Sequence, residues 1–438
     1  MAGVVAIIGR PNVGKSSLFN RIIGERLSIT DDVSGITRDR IYAQASWLNQ
    51  QFSVIDTGGI ILKDEPFSHE IRMQAEIAIN EADVIVMVVD VTSGVLKEDE
   101  DVIRILQASN KPIIVAVNKV DNLELSHEIY EFYSLGVEHL LPVSSIHGLG
   151  IGDLLDLIVS LLPKESKYKD YQGIKYSLVG EPNVGKSTLV NAILGEKRAI
   201  VSSIPGTTTD AVDTSYKRNG KEYVVIDTAG LKKEGRLYEN VEKYSFLRAI
   251  RAIERSDISI LVLDATKPLT EQTKRIAGYI KDYNRAMIIV YNKWDLVEKD
   301  SKTMKEMTDK LYEFMPFLWY VPVIFLSAFN KERVNLLLDM IDTVYENYTQ
   351  RINTSLLNDI ITEAMILNPP SEFNQKILRV YYATQEDVAP PSIVLFVNEP
   401  KSIHFSYHRY LENKLRENFD FTGAPLKITL RKRDSYEL

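Results

Sequence analysis

The sequence predicts an α/β protein in which one domain occurs twice in tandem, followed by a smaller α+β domain. The first observation is a glycine-rich motif, GRPNVGKSSLFN from Gly9, which returns as GEPNVGKSTLVN from Gly180. The second is the alternation of short apolar runs with segments of helical periodicity in each copy. The third is a change of this pattern after about residue 350, where two predicted strands follow one another directly.

Three further motifs recur in the same order, so a whole domain is duplicated rather than a short unit. The pairs are VIDTGG (54–59) and VIDTAG (225–230), AVNKVD (116–121) and VYNKWD (290–295), and VSSIHG (143–148) and LSAFNK (326–331). The separation between the copies grows along the chain. This growth predicts small insertions in the second copy, the larger one around SKTMKEMTDK.

Each copy is predicted to form a mostly parallel sheet with helices on both faces. In the first copy the β-rich runs are VVAII, FSVI, VIVMVV, IIVAV and LLPV. Segments such as EDVIRILQAS and IGDLLDLIVSLL lie between them, with apolar residues at spacings of three and four. Strands that alternate with helices in this way favour parallel pairing through crossover connections.

The same patterns set the expected domain boundaries. Pro163 follows the last helical segment of the first copy, and the polar stretch after it is predicted to be an exposed linker. In the tail, SLLNDIITEAMI is helical, QKILRVYYA and PSIVLFVN are strands, IHFSYHRYLENKLREN is helical, and LKITLRKR is a strand. We expect a first domain at 1–163, a linker at 164–172, a second domain at 173–350 and an α-β-β-α-β tail at 351–438.

Composition narrows the class of protein. The net charge of −8 opposes bulk attraction to nucleic acid, so any RNA contact must come from a local basic patch. The chain has no cysteine, which excludes disulfides, cysteine-ligated zinc and thiol catalysis. Its apolar runs are too short to span a bilayer, and its N-terminus passes directly into a predicted strand. We expect a cytoplasmic protein that acts as a monomer.

The glycine-rich motif has the spacing of a phosphate-binding loop, GxxxxGK(S/T). Its glycines let backbone N–H groups turn inward around phosphate oxygens at a helix N-terminus. Two matches at corresponding positions, each between a strand and a helix, argue against chance. The predicted phosphate-binding residues are Gly9, Gly14, Lys15, Ser16 and Ser17 in the first copy and Gly180, Gly185, Lys186, Ser187 and Thr188 in the second. Both lysines would reach the β- and γ-phosphates, and Ser16 and Ser187 would ligate magnesium.

An acidic residue ends a strand in each copy, Asp56 in DTGG and Asp227 in DTAG. A carboxylate at this place can hold magnesium through water, and Gly59 or Gly230 can let a backbone N–H meet the γ-phosphate. The alternative is an ordinary turn after a strand. The position behind the phosphate loop favours the magnesium interpretation.

The NKVD and NKWD motifs predict which base is bound. Asp121 and Asp295 can accept hydrogen bonds from the ring N–H and exocyclic amine of guanine, two donors that adenine does not present in that arrangement. Asn118 and Asn292 can bond the edge of the ring, and Lys119 and Lys293 can lie along its plane. The tetrapeptide alone is a weak signal, but behind a phosphate loop it indicates a guanine nucleotide.

Taken together, these motifs resemble those of translation-factor-like GTPases. Two complete sets followed by an α-β-β-α-β tail resemble the Der (EngA) family over essentially the whole chain. The resemblance implies two tandem P-loop GTPase domains and a KH-like domain. It also implies hydrolysis of GTP to GDP and phosphate, and a role in maturing the large ribosomal subunit through nucleotide-dependent binding to that subunit and its rRNA.

The resemblance also assigns residues that the motifs alone do not. It implies that Thr37 in GITRD and Thr208 in GTTTD are switch threonines that add a hydroxyl to magnesium. It further implies a loop whose backbone N–H binds the guanine carbonyl, formed by Ser144 and Ser145 in the first copy and by Ser327 and Ala328 in the second. Two positions depart from the family pattern: Ser145 replaces an alanine, and Thr209 stands where the first copy has Arg38.

Neither copy has the glutamine that orients the attacking water in Ras-like enzymes. Ile60 and Leu231 occupy that position and cannot bond water. We therefore expect slow hydrolysis or help from another group. Asn12 and Asn183 match an asparagine that ligates potassium in related GTPases, where the ion takes the place of an arginine finger. The alternative is that these asparagines only shape the loop.

The tail resembles a KH domain, a module that clamps single-stranded RNA with a GxxG loop. Gly423 is its only glycine, so that loop is absent. In LKITLRKR, Ile428 and Leu430 should face one side and the basic residues Lys427, Arg431 and Arg433 the other. This basic stripe is either a solvated edge or an RNA contact. Tyr407 and Tyr410 are candidates for stacking on a base, but core packing is favoured for at least one of them.

Two other functions compete with a ribosome-assembly GTPase. One is a nucleotide-gated binding module in which turnover is incidental, which the missing glutamines favour. The other is the partner GTPase of an RNA-modification system. Such a protein would normally carry a modifying or cofactor-binding domain, and every segment of this chain is already assigned.

Overall fold

The computed structural model describes residues 3–24, 42–48, 50–57, 75, 79, 82–122, 125–163, 173–195, 200–201, 213–228, 241–373 and 376–433. The chain divides into two compact units, Met1–Asp170 and Tyr171–Leu438. The expected linker at 164–172 lies outside the described residues. Among the residues that are described, no helix combines the length and apolar character needed to cross a bilayer.

The first unit is built on a six-stranded sheet with the strand order β2-β3-β1-β4-β5-β6. All pairs are parallel except β2 with β3. The described elements are β1 (Val4–Ile8), α1 (Lys15–Ile23), β2 (Tyr42–Trp47), β3 (Gln50–Asp56), β4 (Val84–Asp90), α2 (Lys97–Gln107), β5 (Ile113–Asn118), β6 (His139–Pro142) and α3 (Ile151–Leu161). Every residue of β1 and β4 is buried, so both faces of the sheet are covered.

The second unit begins with a seven-stranded sheet of the same plan, in the order β13-β12-β11-β7-β10-β9-β8. Its elements are β7 (Ile174–Val179), α4 (Lys186–Leu194), β8 (Ile200–Val201), β9 (Thr214–Arg218), β10 (Lys221–Ile226), α5 (Val241–Arg255), β11 (Ile258–Asp264), α6 (Glu271–Asp282), β12 (Ala286–Asn292), α7 (Thr303–Phe314), β13 (Val323–Phe325) and α8 (Val334–Tyr348). Helix α7 covers the predicted insertion. The first copy has only a 3-10 helix, Leu125–Leu135, at the corresponding place.

The tail forms a three-stranded sheet with two helices packed on one face. Its elements are α9 (Thr354–Leu367), β14 (Glu372–Phe373), β15 (Lys376–Ile377), β16 (Val380–Val388), β17 (Pro391–Val397), α10 (Phe405–Asn418) and β18 (Lys427–Lys432). Strand β17 is antiparallel to β16 and parallel to β18. The predicted α-β-β-α-β order is confirmed, with a short β14–β15 hairpin added between α9 and β16.

The tail is hydrogen-bonded to the sheet that precedes it in the second unit. Gly423 donates its N–H to the carbonyl oxygen of Tyr320 and accepts from the N–H of Met287, both at 2.8 Å. Met287 lies near the start of β12, at a point that β13 does not reach. The tail therefore completes the hydrogen bonding of this sheet edge. Gly423 has φ +74, and a Cβ there would lie 2.6 Å from Cγ2 of Val344.

Candidate nucleotide-binding sites

The two glycine-rich loops have almost the same backbone conformation. Gly14 and Gly185 precede α1 and α4 with φ of 97 and 96. Asn12 and Asn183, two residues earlier, have φ of 65 and 63. Asparagine tolerates this left-handed region better than most residues, so both asparagines suit the loop conformation. Each loop leads directly into a helix N-terminus, where unpaired backbone N–H groups attract an anion.

A buried lysine side chain returns to each loop. The amine of Lys15 donates to the carbonyl oxygens of Gly9 and Arg10, both at 2.8 Å. The amine of Lys186 donates in the same way to Gly180 at 3.0 Å and to Glu181 at 2.8 Å. A positive charge is thus held at each loop, where it complements a phosphate group.

An asparagine side chain joins the phosphate loop to the base-recognition loop in each copy. The amide of Asn118 donates to the carbonyl oxygen of Val13 at 2.8 Å, and its oxygen accepts from the N–H of Ser145 at 3.0 Å. A Cβ on Gly14 would lie only 2.2 Å from Nδ2 of Asn118. The glycine is therefore required for this contact as well as for its positive φ.

The second copy repeats this bridge. Asn292 donates to Val184 and accepts from Ala328, each at 2.9 Å. The N–H groups expected to bind the guanine carbonyl, those of Ser145 and Ala328, thus bond the asparagine in this structure. Their contact with the base stays a prediction. The residues that follow them, Ile146 and Phe329, are 68% and 84% exposed.

Two carboxylates that the sequence analysis missed hold the lysines of the NKxD motifs. Lys119 pairs with Asp90 at 2.5 Å, and Lys293 pairs with Asp264 at 2.7 Å. Burial acts to raise the pKa of Asp90, but hydrogen bonds from Lys119 and Thr92 outweigh burial, and the pKa lies below its usual value. The available signal was that the central apolar strand of each copy, VIVMVVD and ISILVLD, ends in aspartate.

Asp264 shows the same balance in the second copy. Burial acts to raise its pKa, but hydrogen bonds from Lys293 and Thr266 lower the pKa below its usual value. Lys293 also donates to the carbonyl oxygen of Asn183 at 2.8 Å. Its stem is thereby held beside the phosphate loop, where it can form one wall for a planar base.

The carboxylates predicted to bind the base, Asp121 and Asp295, have different surroundings in the two copies. Asp121 accepts from the hydroxyl of Ser144 at 2.6 Å. Oδ1 of Asp295 is buried and, among the described residues, has no hydrogen-bond partner. A buried acceptor left unpaired costs about 1–3 kcal/mol. The N–H donors of a guanine edge would satisfy it, so the residues of the second site fit this base.

The predicted magnesium ligands Ser16 and Asp56 are adjacent, with the hydroxyl of Ser16 donating to Asp56 at 2.9 Å. In the second copy Asp227 has φ 59 and donates its backbone N–H to the side chain of Asp213 at 3.0 Å. Among the described residues no cluster of three or more His, Cys, Asp or Glu side chains forms a metal site. A hydroxyl and a carboxylate beside a phosphate loop suit magnesium, which takes few protein ligands and completes its shell with phosphate oxygens and water.

The residue after the first glycine of each phosphate loop, Arg10 or Glu181, has different partners in the two copies. The sequence alone did not predict these partners. Arg10 forms an ion pair at 2.9 Å with Asp99, whose side chain is fully buried. Burial raises the pKa of Asp99 despite this pair. In the second copy Glu181 accepts instead from the hydroxyls of Thr270 and Thr273, at the start of α6. The signal was the change from GRPN to GEPN in otherwise matching loops.

Several predicted residues lie outside the described part of the chain. They are the switch threonines Thr37 and Thr208, their neighbours Arg38 and Thr209, the glycines Gly59 and Gly230, and the hydrophobic residues Ile60 and Leu231. Their roles stay predictions.

The two tail tyrosines face the core, which confirms the core packing favoured for at least one of them and leaves neither in place to stack on a base. Tyr407 is 9% exposed and donates its hydroxyl to the carbonyl oxygen of Asn368 at 2.8 Å. Tyr410 donates to the carbonyl oxygen of Ala364 at 2.8 Å. Both rings pack in the tail core. Both hydroxyls therefore hold α10 to the C-terminal end of α9, where the carbonyl oxygen of Ala364 also accepts from the N–H of Asn368.

The alternation predicted for the last strand is confirmed. Ile428 is buried and Leu430 packs against the tail core, whereas Lys427, Arg431 and Arg433 are exposed. Arg431 and Arg433 each lie over an aromatic ring of the same sheet.

Two family models match most of the chain. A family model described as "50S ribosome-binding GTPase" matches residues 4–119 and 175–293. A second, described as "KH-domain-like of EngA bacterial GTPase enzymes, C-terminal", matches residues 351–431. Among solved structures, the FeoB G-domain of Methanococcus jannaschii is 25% identical, with a TM-score of 0.28, over 36% of this chain and 96% of that chain. Era of Aquifex aeolicus bound to GDP and aluminium fluoride is 24% identical, with a TM-score of 0.31, over 64% of this chain and 99% of that chain.

The full length of the chain also has close relatives. Proteins named GTPase Der from Bacillus cytotoxicus and from Bacillus thuringiensis are each 54% identical to it. Each alignment covers 98% of this chain and 99% of the relative. With two nucleotide-binding loops, two guanine motifs and the KH-like tail in the same order, the chain belongs to the Der family of tandem-G-domain GTPases.

Proposed function

We propose that both G domains hydrolyse GTP with magnesium, and that their nucleotide state controls binding to the large ribosomal subunit. The observation that carries the proposal is the double bridge of Asn118 and Asn292, which joins a phosphate loop to a guanine-reading loop in both copies. Two sites with matching construction support two nucleotide-dependent events rather than one active and one degenerate site.

The proposed chemistry is mainly electrostatic. Lys15 and Lys186 would leave the loop carbonyls and neutralise charge on the β- and γ-phosphates as the bond to the leaving group breaks. Ser16 with Asp56, and Ser187 with Asp227, would hold magnesium, which would supply positive charge to offset the charge of the phosphates. Thr37 and Thr208 would join that shell in the GTP state.

We propose that hydrolysis is slow and that potassium accelerates it. With Ile60 and Leu231 in place of glutamine, the chain has no side chain at that position to orient water. Asn12 and Asn183 carry side-chain oxygens at the loops and would place a monovalent cation beside the phosphates. The rate of GTP hydrolysis in potassium chloride should exceed the rate in sodium chloride. Asn12→Ala and Asn183→Ala should each remove this preference in their own domain, and equal wild-type rates would contradict the potassium site.

The proposed partner is the large ribosomal subunit with its rRNA, contacted by the tail of a cytoplasmic monomer. The proposed domains are a first G domain at 1–163, a second G domain at 173–350 and the tail at 351–438, with a linker at 164–172. The tail model match at 351–431 and the description of the G-domain match support this proposal.

Co-sedimentation with purified large subunits tests the proposal. The full chain should sediment with subunits when both sites hold a non-hydrolysable GTP analogue, and weakly with GDP. Lys15→Ala and Lys186→Ala should each reduce sedimentation. Equal sedimentation in both nucleotide states would overturn nucleotide control while leaving GTP hydrolysis intact.

A further inference from the structure

The three-stranded tail sheet has two unlike faces. Ala383, Ile393 and Ile428 belong to the core on the helix-covered face. On the opposite face, strand register places Tyr382 beside Phe396 and Phe396 beside Arg431. A row of two aromatic residues and one arginine therefore crosses all three strands.

A break in the strand register adds a second exposed tyrosine next to this row. Val380 pairs with Val397 and Tyr382 pairs with Phe396, so Tyr381 is the extra residue of a bulge. Tyr381 and Tyr382 are 48% and 47% exposed. Exposed neighbouring aromatic rings on a strand bury little surface within the fold, and they offer flat surfaces to a ligand.

Two guanidinium groups lie over these rings. The guanidinium carbon of Arg433 is 5.2 Å from the ring centre of Tyr381, and that of Arg431 is 5.9 Å from the ring centre of Phe396. Both distances are within the range of cation–π attraction. Tyr382 and Phe396 are themselves 6.2 Å apart, centre to centre. Planar cations and planar rings are thus arranged together on one surface.

Basic residues outnumber acidic ones on this surface. Lys427, Arg431 and Arg433 are exposed there, together with Glu386 and with Asp387, which is in register with Lys427 through Ser392. Lys427 and Arg431 project from alternate positions of β18, and both are exposed. The one described ion pair of Arg431, with Glu386 at 3.1 Å, joins two side chains that are each more than half exposed. Exposed pairs of this kind contribute little and exchange readily, so Arg431 remains available to a phosphate.

We propose that this face binds unpaired nucleotides of RNA, with bases stacked on Tyr381 and Tyr382 and phosphates held by Lys427, Arg431 and Arg433. Aromatic side chains interleaved with cations are the usual surface for single strands, because every base has a stacking face and every linkage a negative charge. The inference rests on the proposed function only in taking rRNA as the source of these nucleotides.

The opposite side of the tail does not offer the same chemistry. It has no GxxG loop, Tyr407 and Tyr410 are turned into the core, and Gly423 is engaged with the second G domain. Phe405 is 68% exposed at the start of α10, outside the row that crosses the sheet. This residue provides a matched control, because it is aromatic, exposed and part of the tail.

The test measures binding of the full chain to fluorescein-labelled oligouridylate, which forms no duplex, by fluorescence anisotropy. Tyr381→Ala and Tyr382→Ala should each weaken binding by about tenfold, the loss expected for one stacked base. Arg433→Gln should lower the slope of log affinity against log salt by about 0.7, the change expected when one phosphate of a single strand is no longer neutralised. Phe405→Ala should bind as the wild type, and thermal unfolding should show all variants folded.

Unchanged RNA affinity in both tyrosine variants would overturn the inference. So would a loss of affinity for large subunits without a loss for oligouridylate, because that result would identify a protein contact. The proposed function fails separately, if the wild type does not sediment with large subunits in any nucleotide state. Normal nucleotide-dependent sedimentation of the tyrosine variants, together with normal RNA binding, would refute only the sheet-face site.

Discussion

The side-chain amide of Asn292 donates to the carbonyl oxygen of Val184 at 2.9 Å, which fastens the guanine motif of the second G domain to its phosphate loop. The phosphate loop and the NKWD motif of this domain are therefore held in a fixed relative position by one side chain. The same contact exists in the first domain between Asn118 and Val13.

Asn292→Ala should lower both stability and nucleotide affinity, because it leaves the carbonyl of Val184 and the N–H of Ala328 without partners. A buried hydrogen-bonding group left unpaired costs about 1–3 kcal/mol. Chemical unfolding and titration with a fluorescent GDP analogue would measure the two effects. Asn191→Ala, at an exposed position of α4, is the control and should be nearly neutral. A variant with normal stability and normal affinity would show that the bridge has no role.

Asp295→Asn and Asp121→Asn should each change the preference of their own site from guanine to xanthine nucleotides. The exchange replaces an acceptor by a donor, which suits the carbonyl that xanthine carries in place of the guanine amine. Competition binding with GTP, xanthosine triphosphate and ATP would measure it. If ATP competes with GTP equally well in the wild type, the base assignment is wrong.

Ser144 and its equivalent in the second copy, Ser327, allow the same substitution to be compared in the two domains. Ser144→Ala should weaken GTP binding in the first domain, because the hydroxyl of Ser144 orients Asp121. Ser327→Ala should have a smaller effect in the second domain: both serine hydroxyls accept from a loop N–H, that of His147 or Asn330, but Oδ1 of Asp295 has no hydrogen-bond partner among the described residues. Equal losses in the two domains would contradict the asymmetry seen at Asp295.

Asp264→Asn should make the second domain less stable at neutral pH and less sensitive to acid. The pKa of Asp264 is lowered from 3.8, because the hydrogen bonds from Lys293 and Thr266 outweigh the opposing effect of burial. A carboxyl with a depressed folded-state pKa adds stability above its unfolded value, and this stability is lost as pH falls through the folded value. Urea unfolding across the acid range would show the wild-type advantage shrinking below about pH 4.

Arg10→Glu should destabilise the first domain more than Arg10→Ala, although glutamate is the residue of the second loop. In the first domain the new carboxylate would face buried Asp99, and removing one partner of a buried ion pair already costs about 3–5 kcal/mol. Thermal unfolding of the two variants would rank them. The reverse order would mean that the two loops are interchangeable.

Gly423→Ala should loosen the tail from the second G domain. The φ of +74 and the 2.6 Å approach to Val344 both act against a side chain, and together they should cost about 1–3 kcal/mol. Gly220→Ala is a matched control, since Gly220 has φ +79 with nothing within 4 Å of the added carbon. Hydrogen exchange at Met287 should accelerate in the first variant and not in the second. Similar exchange in both would remove Gly423 as a docking contact.

The motif residues were predictable because their chemistry depends on short spacing within one loop. The ion pairs that hold these motifs in place were not predictable. Arg10 meets Asp99, and Lys293 meets Asp264, only after the sheet brings together elements that are distant in sequence. The burial of Tyr407 could have been predicted. Tyr407, Leu411 and Leu415 recur every four residues, and all three lie in the tail core. The docking role of Gly423 had no local signal, since a lone glycine indicates only an unusual backbone conformation.

The bond from Met287 to Gly423 also has a consequence for the second G domain when the tail is removed. A chain ended after Gln350 would leave the N–H of Met287 and the carbonyl oxygen of Tyr320 without these partners at the exposed start of the β12–β13 sheet edge. Such an edge recruits strands from other molecules. Fragments of the second G domain without the tail should therefore oligomerise as concentration rises. The tail therefore prevents self-association of the second G domain, and this effect requires neither nucleotide nor RNA.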